Sequence, residues 1–129
     1  MTEKDKQLLF TDLCARLLHS VKAQYFDSED GREKIDVIEG VDFSTKEPKF
    51  FIAQYGLRVE ELKPYLRSMP SMTKEENQEL GNISYSLKSG ELFFAIWQIN
   101  WLNAHHFDYR KLIEKGLALE APEGMYKIE

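Results

Sequence analysis

The chain has 129 residues, of which 43% are hydrophobic and 30% charged, and its formal net charge is −5. A chain of this length buries roughly two-thirds of its unfolded surface, so it needs no disulfide or structural metal to fold. Its single cysteine excludes an internal disulfide. The acidic excess argues against nucleic-acid binding, which depends on Lys and Arg neutralising phosphates. We expect a single domain spanning residues 1–129.

Neither the N-terminal stretch nor the longest apolar run predicts a membrane protein. The N-terminal stretch MTEKDKQ is polar and lacks the apolar centre of a signal peptide. The longest strongly apolar run, LFFAIWQINWL (92–102), contains Gln98 and Asn100. It is much shorter than the ~20 apolar residues that a membrane-spanning helix needs. We therefore predict a cytoplasmic protein with no membrane partner.

The first predicted element is a helix from about Glu3 to His19. Leucines recur every four residues and form an apolar stripe that can dock on a core: Leu9, Leu13 and Leu17. Asp12 and Arg16 fall outside that stripe. This pattern predicts an amphipathic helix with its polar side in solvent.

Alternating apolar and polar residues then predict strands. VKAQYFD (21–27) and EKIDVIE (33–39) alternate on either side of Asp30-Gly31, a pair suited to a tight turn, so they form a predicted hairpin. Gly40 indicates a bulge or a turn after the second strand. KFFIAQY (49–55) is the third predicted strand, which completes an antiparallel meander.

The following segment has weaker signals. Residues 59–63 can form one helical turn, but Pro64 and Pro70 stop a longer helix, so we expect an extended connector up to residue 72. TKEE (73–76) is a capping box in which Thr73 and Glu76 can bond to each other's backbone amides. It predicts a helix that runs to about Leu80.

A central helix is predicted from Glu91 to about His106, and its apolar surface is broad. Ile96 and Trp97 are the residues that we most expect to be buried. The predicted fold is therefore α+β: an N-terminal helix, a three-stranded antiparallel β-meander and a helical C-terminal half.

The stretch WLNAHHFDYRKLIEKGLALEAP (101–122) predicts a sharp corner and a second, short helix over 109–115. Asp108 suits the N-cap, and Phe107 and Leu112 occupy the two positions of a hydrophobic staple. Gly116 suits the left-handed residue of a Schellman ending, in which Leu112 contacts Leu117. We assign Phe107, Asp108, Leu112 and Gly116 to this structural corner.

Two adjacent histidines, His105 and His106, precede the corner and raise the question of a metal or catalytic site. Neighbouring helical residues point ~100° apart, so these two rings would not readily hold one metal ion. Zinc-binding histidines on helices are spaced four residues apart for that reason. We predict no metal and no cofactor, and we expect the histidines to close the longer helix.

Two blocks of the sequence, KPYLRSMPSMTKEE (63–76) and WLNAHHFDYRKLIEKGLALEAPEGMY (101–126), resemble a family of small proteins of unassigned function. That family is abundant in gut anaerobic bacteria and in their phages and integrated mobile elements. The resemblance covers about the last half of the chain, and the N-terminal strands match only in rough layout. The family often has an acidic residue where Asn100 stands and glycine where Lys111 stands. The resemblance implies a bacterial or mobile-element setting and no catalytic residues.

Three functions are compatible with the sequence. The first is a non-enzymatic accessory or protein-interaction module whose partner is another protein or a second copy of the chain. Aromatic residues and arginine are common in binding hot spots, and the candidate contact surface comprises Tyr65, Arg67, Trp101, His105, His106, Tyr109 and Arg110. The alternative is that Trp101 belongs to the core and the other residues are solvated.

The second function is a small enzyme with His105 or His106 as general base and Asp108 as its orienting group. The sequence contains neither a nucleophile elbow nor a glycine-rich phosphate loop that would support it. The third function is DNA binding through a helix-turn-helix at 91–115. Its second helix would have only Arg110, Lys111 and Lys115 as cations, fewer than a reader helix and its phosphate contacts need.

Overall fold

The computed structural model describes residues 1–86 and 91–126. Helix α1 spans Glu3–Arg16 and continues as a 3-10 turn over Leu17–His19, which confirms the predicted first helix. A capping box opens it: the Asp5 amide donates to the Thr2 hydroxyl at 3.0 Å, and the Thr2 amide donates to the Asp5 carboxylate at 3.4 Å. These bonds pair two amides, one of which is an orphan donor of the first helical turn.

Six strands form one mixed sheet. In chain order they are β1 (Lys22–Asp27), β2 (Arg32–Asp42), β3 (Lys49–Ile52), β4 (Tyr55–Leu57), β5 (Lys63–Leu66) and β6 (Leu119–Glu120). Their order across the sheet is β4-β3-β2-β1-β5-β6, and neighbours are antiparallel except β5 and β6, which are parallel. The segment after residue 118 therefore adds a strand to the edge of a sheet built by residues 22–66.

The predicted hairpin and bulge are confirmed. Strands β1 and β2 pair in antiparallel fashion from Lys22 opposite Val37 to Asp27 opposite Arg32. Gly31 has a φ of +68° in the turn between them, a conformation that glycine adopts without a steric penalty. The register between β2 and β3 shifts between Ile38 and Gly40, which places the predicted irregularity at Gly40 and leaves β2 continuous to Asp42.

The predicted fold, a three-stranded meander with a helical C-terminal half, is wrong, because the sheet has six strands. The third predicted strand breaks at Ala53, whose φ is +52°, and the chain turns back to form β4. The predicted connector contains β5, in which Pro64 pairs with Ala23 of β1. Pairing between β5 and β6 begins one residue later, at Tyr65, so the missing amide of Pro64 removes no hydrogen bond there.

One hydrophobic core joins α1, the sheet and the segment after residue 108. Leu9 and Leu13 of α1 are fully buried, and so are alternate residues of the strands, such as Ala23 of β1. Leu112 and Leu117 belong to the same cluster. The C-terminal segment is therefore packed on the core that the N-terminal elements build.

Two further helices, α2 (Lys74–Ser86) and α3 (Glu91–Ala104), pack on each other. The capping box that opens α2 is confirmed, since the Glu76 amide donates to the Thr73 hydroxyl at 3.1 Å and the Thr73 amide donates to the Glu76 carboxylate at 3.0 Å. Helix α2 continues to Ser86, beyond the end that was predicted near Leu80. The pair Ser89-Gly90, which predicts a break in the chain before the central helix, lies outside the described residues. No helix in the described part of the chain is long and apolar enough to cross a membrane.

The prediction that Ile96 and Trp97 are the most buried residues of α3 is wrong. Their side chains are 50% and 47% exposed, whereas Trp101 is 8% exposed. Trp101 and Leu102 form a second apolar cluster with Phe107. Along the part of α3 whose side chains are described, the last turn is therefore the part that the domain covers.

Candidate functional site

The predicted corner forms, with Asp108 at its centre. The two carboxylate oxygens of Asp108 accept hydrogen bonds from the amides of Leu112 and Ile113, each at 2.9 Å. Gly116 has a φ of +74°. The Gly116 amide donates to the Ile113 carbonyl at 3.1 Å, and the Leu117 amide donates to the Leu112 carbonyl at 2.9 Å. This pair of bonds is the Schellman pattern that the sequence predicted.

The second helix predicted over 109–115 is wrong. These residues form turns, and Lys111 has a φ of +61°, a left-handed conformation that a regular right-handed helix cannot contain. Asp108 therefore caps a turn and not a helix. The helix-turn-helix alternative loses its second helix as a result.

The corner is held to the sheet by backbone hydrogen bonds just beyond β5. The Arg67 amide donates to the His106 carbonyl at 2.7 Å, and the Asp108 amide donates to the Arg67 carbonyl at 2.8 Å. Phe107 lies between these two bonds and is fully buried, with the Arg67 guanidinium 4.2 Å from the centre of its ring. These contacts fix where the two histidines stand relative to Arg67.

A buried ion cluster, which we call the junction, joins α1 to the corner: Asp12, Arg16, Tyr109 and Arg110. Arg16 donates to both oxygens of Asp12, at 2.7 and 3.1 Å, and to the Phe107 carbonyl at 2.6 Å. Arg110 donates to Asp12 at 3.1 Å. The Tyr109 ring centre lies 5.3 Å from one guanidinium and 5.1 Å from the other. Arg16 and Asp12 are fully buried, so the expectation that the polar side of α1 lies in solvent is wrong for these two residues.

A cleft of about 730 Å³ opens on the other side of the corner. Its walls come from the end of β5, the start of α2, the end of α3 and the segment after β6. The lining residues are Arg67, Ser71, Thr73, Glu76, Ala104, His105, His106, Glu120, Ala121, Pro122, Glu123, Gly124 and Tyr126. We call this space the cleft.

One wall of the cleft carries a two-bond ion pair. Arg67 donates to the two carboxylate oxygens of Glu76, at 2.7 and 2.6 Å. These bonds lower the pKa of Glu76 to about 2. The pair therefore remains charged across the neutral range and cancels its own net charge.

His106 is the most enclosed titratable side chain of the cleft. It is 9% exposed, and its ring stacks on Tyr126 with 3.6 Å between ring centres. Burial, together with the positive charge of Arg16, lowers the pKa of His106 from 6.5 to about 4. The ring is therefore neutral at pH 7. Its Nδ1 atom is buried without a hydrogen-bond partner among the described residues.

Tyr126 ties the C-terminal segment across two strands. Its hydroxyl donates to the Tyr65 carbonyl at 2.7 Å and accepts from the Lys22 amide at 2.8 Å. Burial raises the pKa of Tyr126 to about 12, so the hydroxyl keeps its proton and both bonds. This tether holds the ring that stacks on His106.

His105 faces a different aromatic partner. Its ring stacks on Trp101 with 3.9 Å between ring centres, and its Nδ1 atom lies 2.9 Å from the Trp101 carbonyl oxygen. The Trp101 indole nitrogen in turn donates to Glu79 at 3.2 Å. The two histidines thus stand on separate aromatic supports.

The structure separates the residues of the predicted contact surface. Arg67, His105 and His106 line the cleft. Tyr109 and Arg110 lie in the junction, Trp101 is buried behind His105, and Tyr65 contributes its backbone carbonyl to the Tyr126 tether.

The sequence did not predict a site role for the acidic residues of the cleft or for its tyrosine: Glu76, Glu120, Glu123 and Tyr126. Glu76 was assigned only a capping role. No motif in the sequence connects Glu120 or Glu123, which Ala121 and Pro122 separate, with the residues of the contact surface.

No group of three or more His, Cys, Asp or Glu side chains within the described residues could hold a metal ion. The expected absence of a cofactor stays a prediction. No protein-family model, no curated protein and no solved structure matches the chain. The function must therefore be inferred from the contacts and charges of the cleft.

Proposed function

We propose that this chain is a non-enzymatic protein-interaction module and that the cleft is its binding surface. The observation that carries the proposal is the convergence of Arg67, His105 and His106 on one cleft of about 730 Å³. Ligand-binding sites commonly have volumes of ~300–1,000 Å³ and combine apolar walls with a few polar groups. The cleft has that size and that mixture of side chains.

The two hydroxyl groups that line the cleft are held by structural partners, which favours binding over nucleophilic chemistry. The Ser71 hydroxyl donates to the Ser68 carbonyl at 2.6 Å, and the Thr73 hydroxyl accepts from the Glu76 amide. Both are therefore engaged in local turns. Positioned but unreactive groups suit recognition of a partner's shape and charge.

The acid–base alternative lacks its orienting group in this geometry. A histidine base needs a neighbouring acceptor that holds its ring and stabilises the charged form. Asp108 uses both oxygens on the amides of Leu112 and Ile113. His106 is neutral because its surroundings oppose the protonated form, so it remains a base without a partner.

The proposal includes a biological setting that rests on the sequence resemblance. Every residue that lines the cleft falls within the two blocks, 63–76 and 101–126, that resemble the family from gut anaerobic bacteria and their phages. We therefore place the module in a bacterial cell or in a mobile element carried by it, with another protein as its partner.

Peptide selection tests the proposal. Random peptides displayed on phage are selected on the immobilised protein and then retested on two variants. Ser71→Trp places a large ring at an exposed position of the cleft, and Glu75→Trp places the same ring on an exposed position of α2 that does not line it. We expect the selected peptides to bind the wild-type protein and the Glu75→Trp variant. They should not bind the Ser71→Trp variant.

Two outcomes would count against the proposal. Selected peptides that bind all three proteins equally would show that the cleft is not the binding surface. A selection that enriches no peptide, together with a strictly monomeric protein in light scattering, would remove the support for an interaction module.

A further inference from the structure

The carboxylates that line the cleft outnumber the cations among its described lining residues. Arg67 and Glu76 cancel each other as an ion pair. Two more carboxylates, Glu120 and Glu123, line the same cleft. Glu120 accepts a hydrogen bond from the Ser68 hydroxyl at 2.9 Å, and neither carboxylate forms an ion pair with a cation among the described residues. Among the described lining residues, the carboxylates of Glu120 and Glu123 therefore leave an excess of negative charge in the cleft.

A second observation is independent of that charge. His106 lines the cleft while more than nine-tenths buried, and neither of its ring nitrogens bonds to a described residue. A buried polar group normally has a hydrogen-bond partner, because an unpaired one loses its contact with water without replacement. Only Nδ1 is fully enclosed, so Nε2 is a ring nitrogen that no described residue engages and to which a ligand in the cleft can bond.

The tautomer of His106 follows from its neighbours. The cations Arg16 and Arg67 are near enough to oppose protonation of the ring. A proton on the buried Nδ1 would be a donor without an acceptor among the described residues, which costs free energy, so we assign the single proton of the neutral ring to Nε2. Because Nδ1 is the buried nitrogen, Nε2 is the atom that a ligand in the cleft can reach, and it offers a hydrogen-bond donor.

We propose that the cleft binds a short peptide segment bearing a Lys or Arg side chain, with its cationic group held by Glu120 and Glu123 and one of its backbone carbonyls accepting from His106 Nε2. This assignment rests on the proposed function and names the ligand class of the same site. An acidic segment would meet two like charges in the cleft. A simple polyamine has cations but no carbonyl to accept from the imidazole.

The test is a titration of the ¹⁵N-labelled protein followed by NMR. The probes are acetylated, amidated pentapeptides of sequence Ala-Ala-X-Ala-Ala, in which X is lysine, norleucine or glutamate. Norleucine keeps most of the lysine chain and removes the charge. We expect the lysine peptide to shift the resonances of cleft residues and to bind about tenfold more tightly than the norleucine peptide, a difference of one decade in Kd.

A matched pair of double variants tests the carboxylates. Glu120→Gln with Glu123→Gln should reduce lysine-peptide affinity to that of the norleucine peptide. Glu33→Gln with Glu114→Gln makes the same change of net charge at two exposed positions outside the cleft, and it should leave the affinity within a factor of about two. Equal losses in both double variants would overturn the assignment of the cation to the cleft.

The imidazole is followed directly in the same sample. Long-range ¹⁵N correlations should show His106 as the neutral Nε2-protonated form, and its Nε2 resonance should shift when the lysine peptide binds. A proton on Nδ1 would overturn the proposed contact. Spermidine binding more tightly than the lysine peptide would overturn the assignment of a peptide ligand.

The inference and the proposed function fail in different experiments. If the norleucine or glutamate peptide binds the cleft as well as the lysine peptide does, the inference is wrong and the module still binds peptides there. If the peptides selected on phage bind wild type and Ser71→Trp equally, the cleft is not the binding surface and the proposed function is wrong, whichever residue at X the pentapeptide titration favours.

Discussion

Two arginine–carboxylate pairs in this molecule have the same two-bond geometry and opposite surroundings. Arg16 and Asp12 are fully buried in the junction, whereas Arg67 and Glu76 stand partly exposed on the cleft wall. Water can replace a lost partner at the cleft wall but not in the junction. The junction pair is therefore needed for the stability of the fold. The charged residues of the cleft wall, in contrast, can be substituted without unfolding the domain.

The largest expected effect comes from breaking the buried pair. Asp12→Asn removes the negative charge that faces Arg16 and Arg110 and replaces one of the two acceptor oxygens by an NH₂ donor. An uncompensated buried charge costs about 3–5 kcal/mol, close to the whole stability of a marginal domain. We expect a strong loss of stability in urea denaturation.

A double variant keeps this prediction testable if Asp12→Asn does not fold. Asp12→Leu with Arg16→Met replaces the pair by apolar side chains and leaves no buried charge behind on α1. We expect the double variant to be more stable than Asp12→Asn alone. The reverse order would mean that the junction is wetter than the full burial of these two side chains implies.

Two tryptophans on α3 test where the buried region ends. Trp101→Ala should cost at least about 3 kcal/mol, because the ring is buried against Phe107 and a large cavity would remain. Trp97→Ala, four residues earlier on the same helix, should cost about 1 kcal/mol or less, since nearly half of that side chain is exposed. Thermal melting of both variants measures the difference. Similar losses would show that α3 is covered beyond its last turn.

His106 links the two regions, because it lies in the cleft and feels the charge of Arg16. Its folded pKa of about 4 is below the ordinary 6.5, so the unfolded chain takes up a proton before the folded chain does. The free energy of unfolding should therefore keep the full contribution of the neutral His106 ring above about pH 6.5, and it should fall as the pH drops toward 4. The expected loss between about pH 7.5 and pH 5 is on the order of 2 kcal/mol.

Matched histidine variants isolate that contribution. His106→Asn tolerates the φ of +66° at this position and removes the titrating ring, so its stability should change less between the two pH values. His105→Asn removes one of the groups that lower the pKa of His106 but keeps the buried ring itself, so it should reduce the pH dependence less than His106→Asn does. The window lies above the range in which Glu76 titrates. If the free energy of unfolding of His106→Asn changes with pH as steeply as that of the wild type, the pH dependence arises from other groups.

Breaking the pair on the cleft wall should cost much less than breaking the junction. Glu76→Gln removes the charge that faces Arg67 but leaves a side chain able to cap α2, since glutamine also serves in a capping box. We expect a loss of about 1 kcal/mol, as for other partly exposed ion pairs. Urea denaturation beside Asp12→Asn gives the comparison. A loss as large as that of Asp12→Asn would contradict the difference between the two regions.

Sequence patterns predicted the elements whose contacts are local. The capping box at Thr73, the Gly31 turn and the Schellman bonds at Gly116 each depend on residues a few positions apart. The parallel pairing of β5 with β6 joins residues 65–66 to residues 119–120, and no local pattern specifies a partner at that distance. The same limit explains Asp12 and Arg16, which look like a solvated helix pair until the corner covers them.

The candidate site was predicted in part for the same reason. Residue type was enough to select Arg67, His105 and His106 as contact residues. Glu120, Glu123 and Tyr126 join them only because β6 returns the chain to the sheet edge, and that return follows from the corner. The error over the 109–115 helix came from the left-handed conformation of Lys111, which a pattern of caps and charges does not reveal.

Lys111 gives the smallest expected effect and tests the backbone of the corner. Its side chain is exposed and its φ is +61°, a conformation that costs a residue with a side chain about 1 kcal/mol or more. Lys111→Gly should therefore raise stability by up to about 1 kcal/mol, after glycine's own entropy cost. Lys115→Gly, at an exposed position without a positive φ, should lower it by about 0.5–1 kcal/mol. Opposite signs in calorimetry would establish that this turn is strained at Lys111, whereas equal losses would contradict the left-handed turn that separates the junction from the cleft.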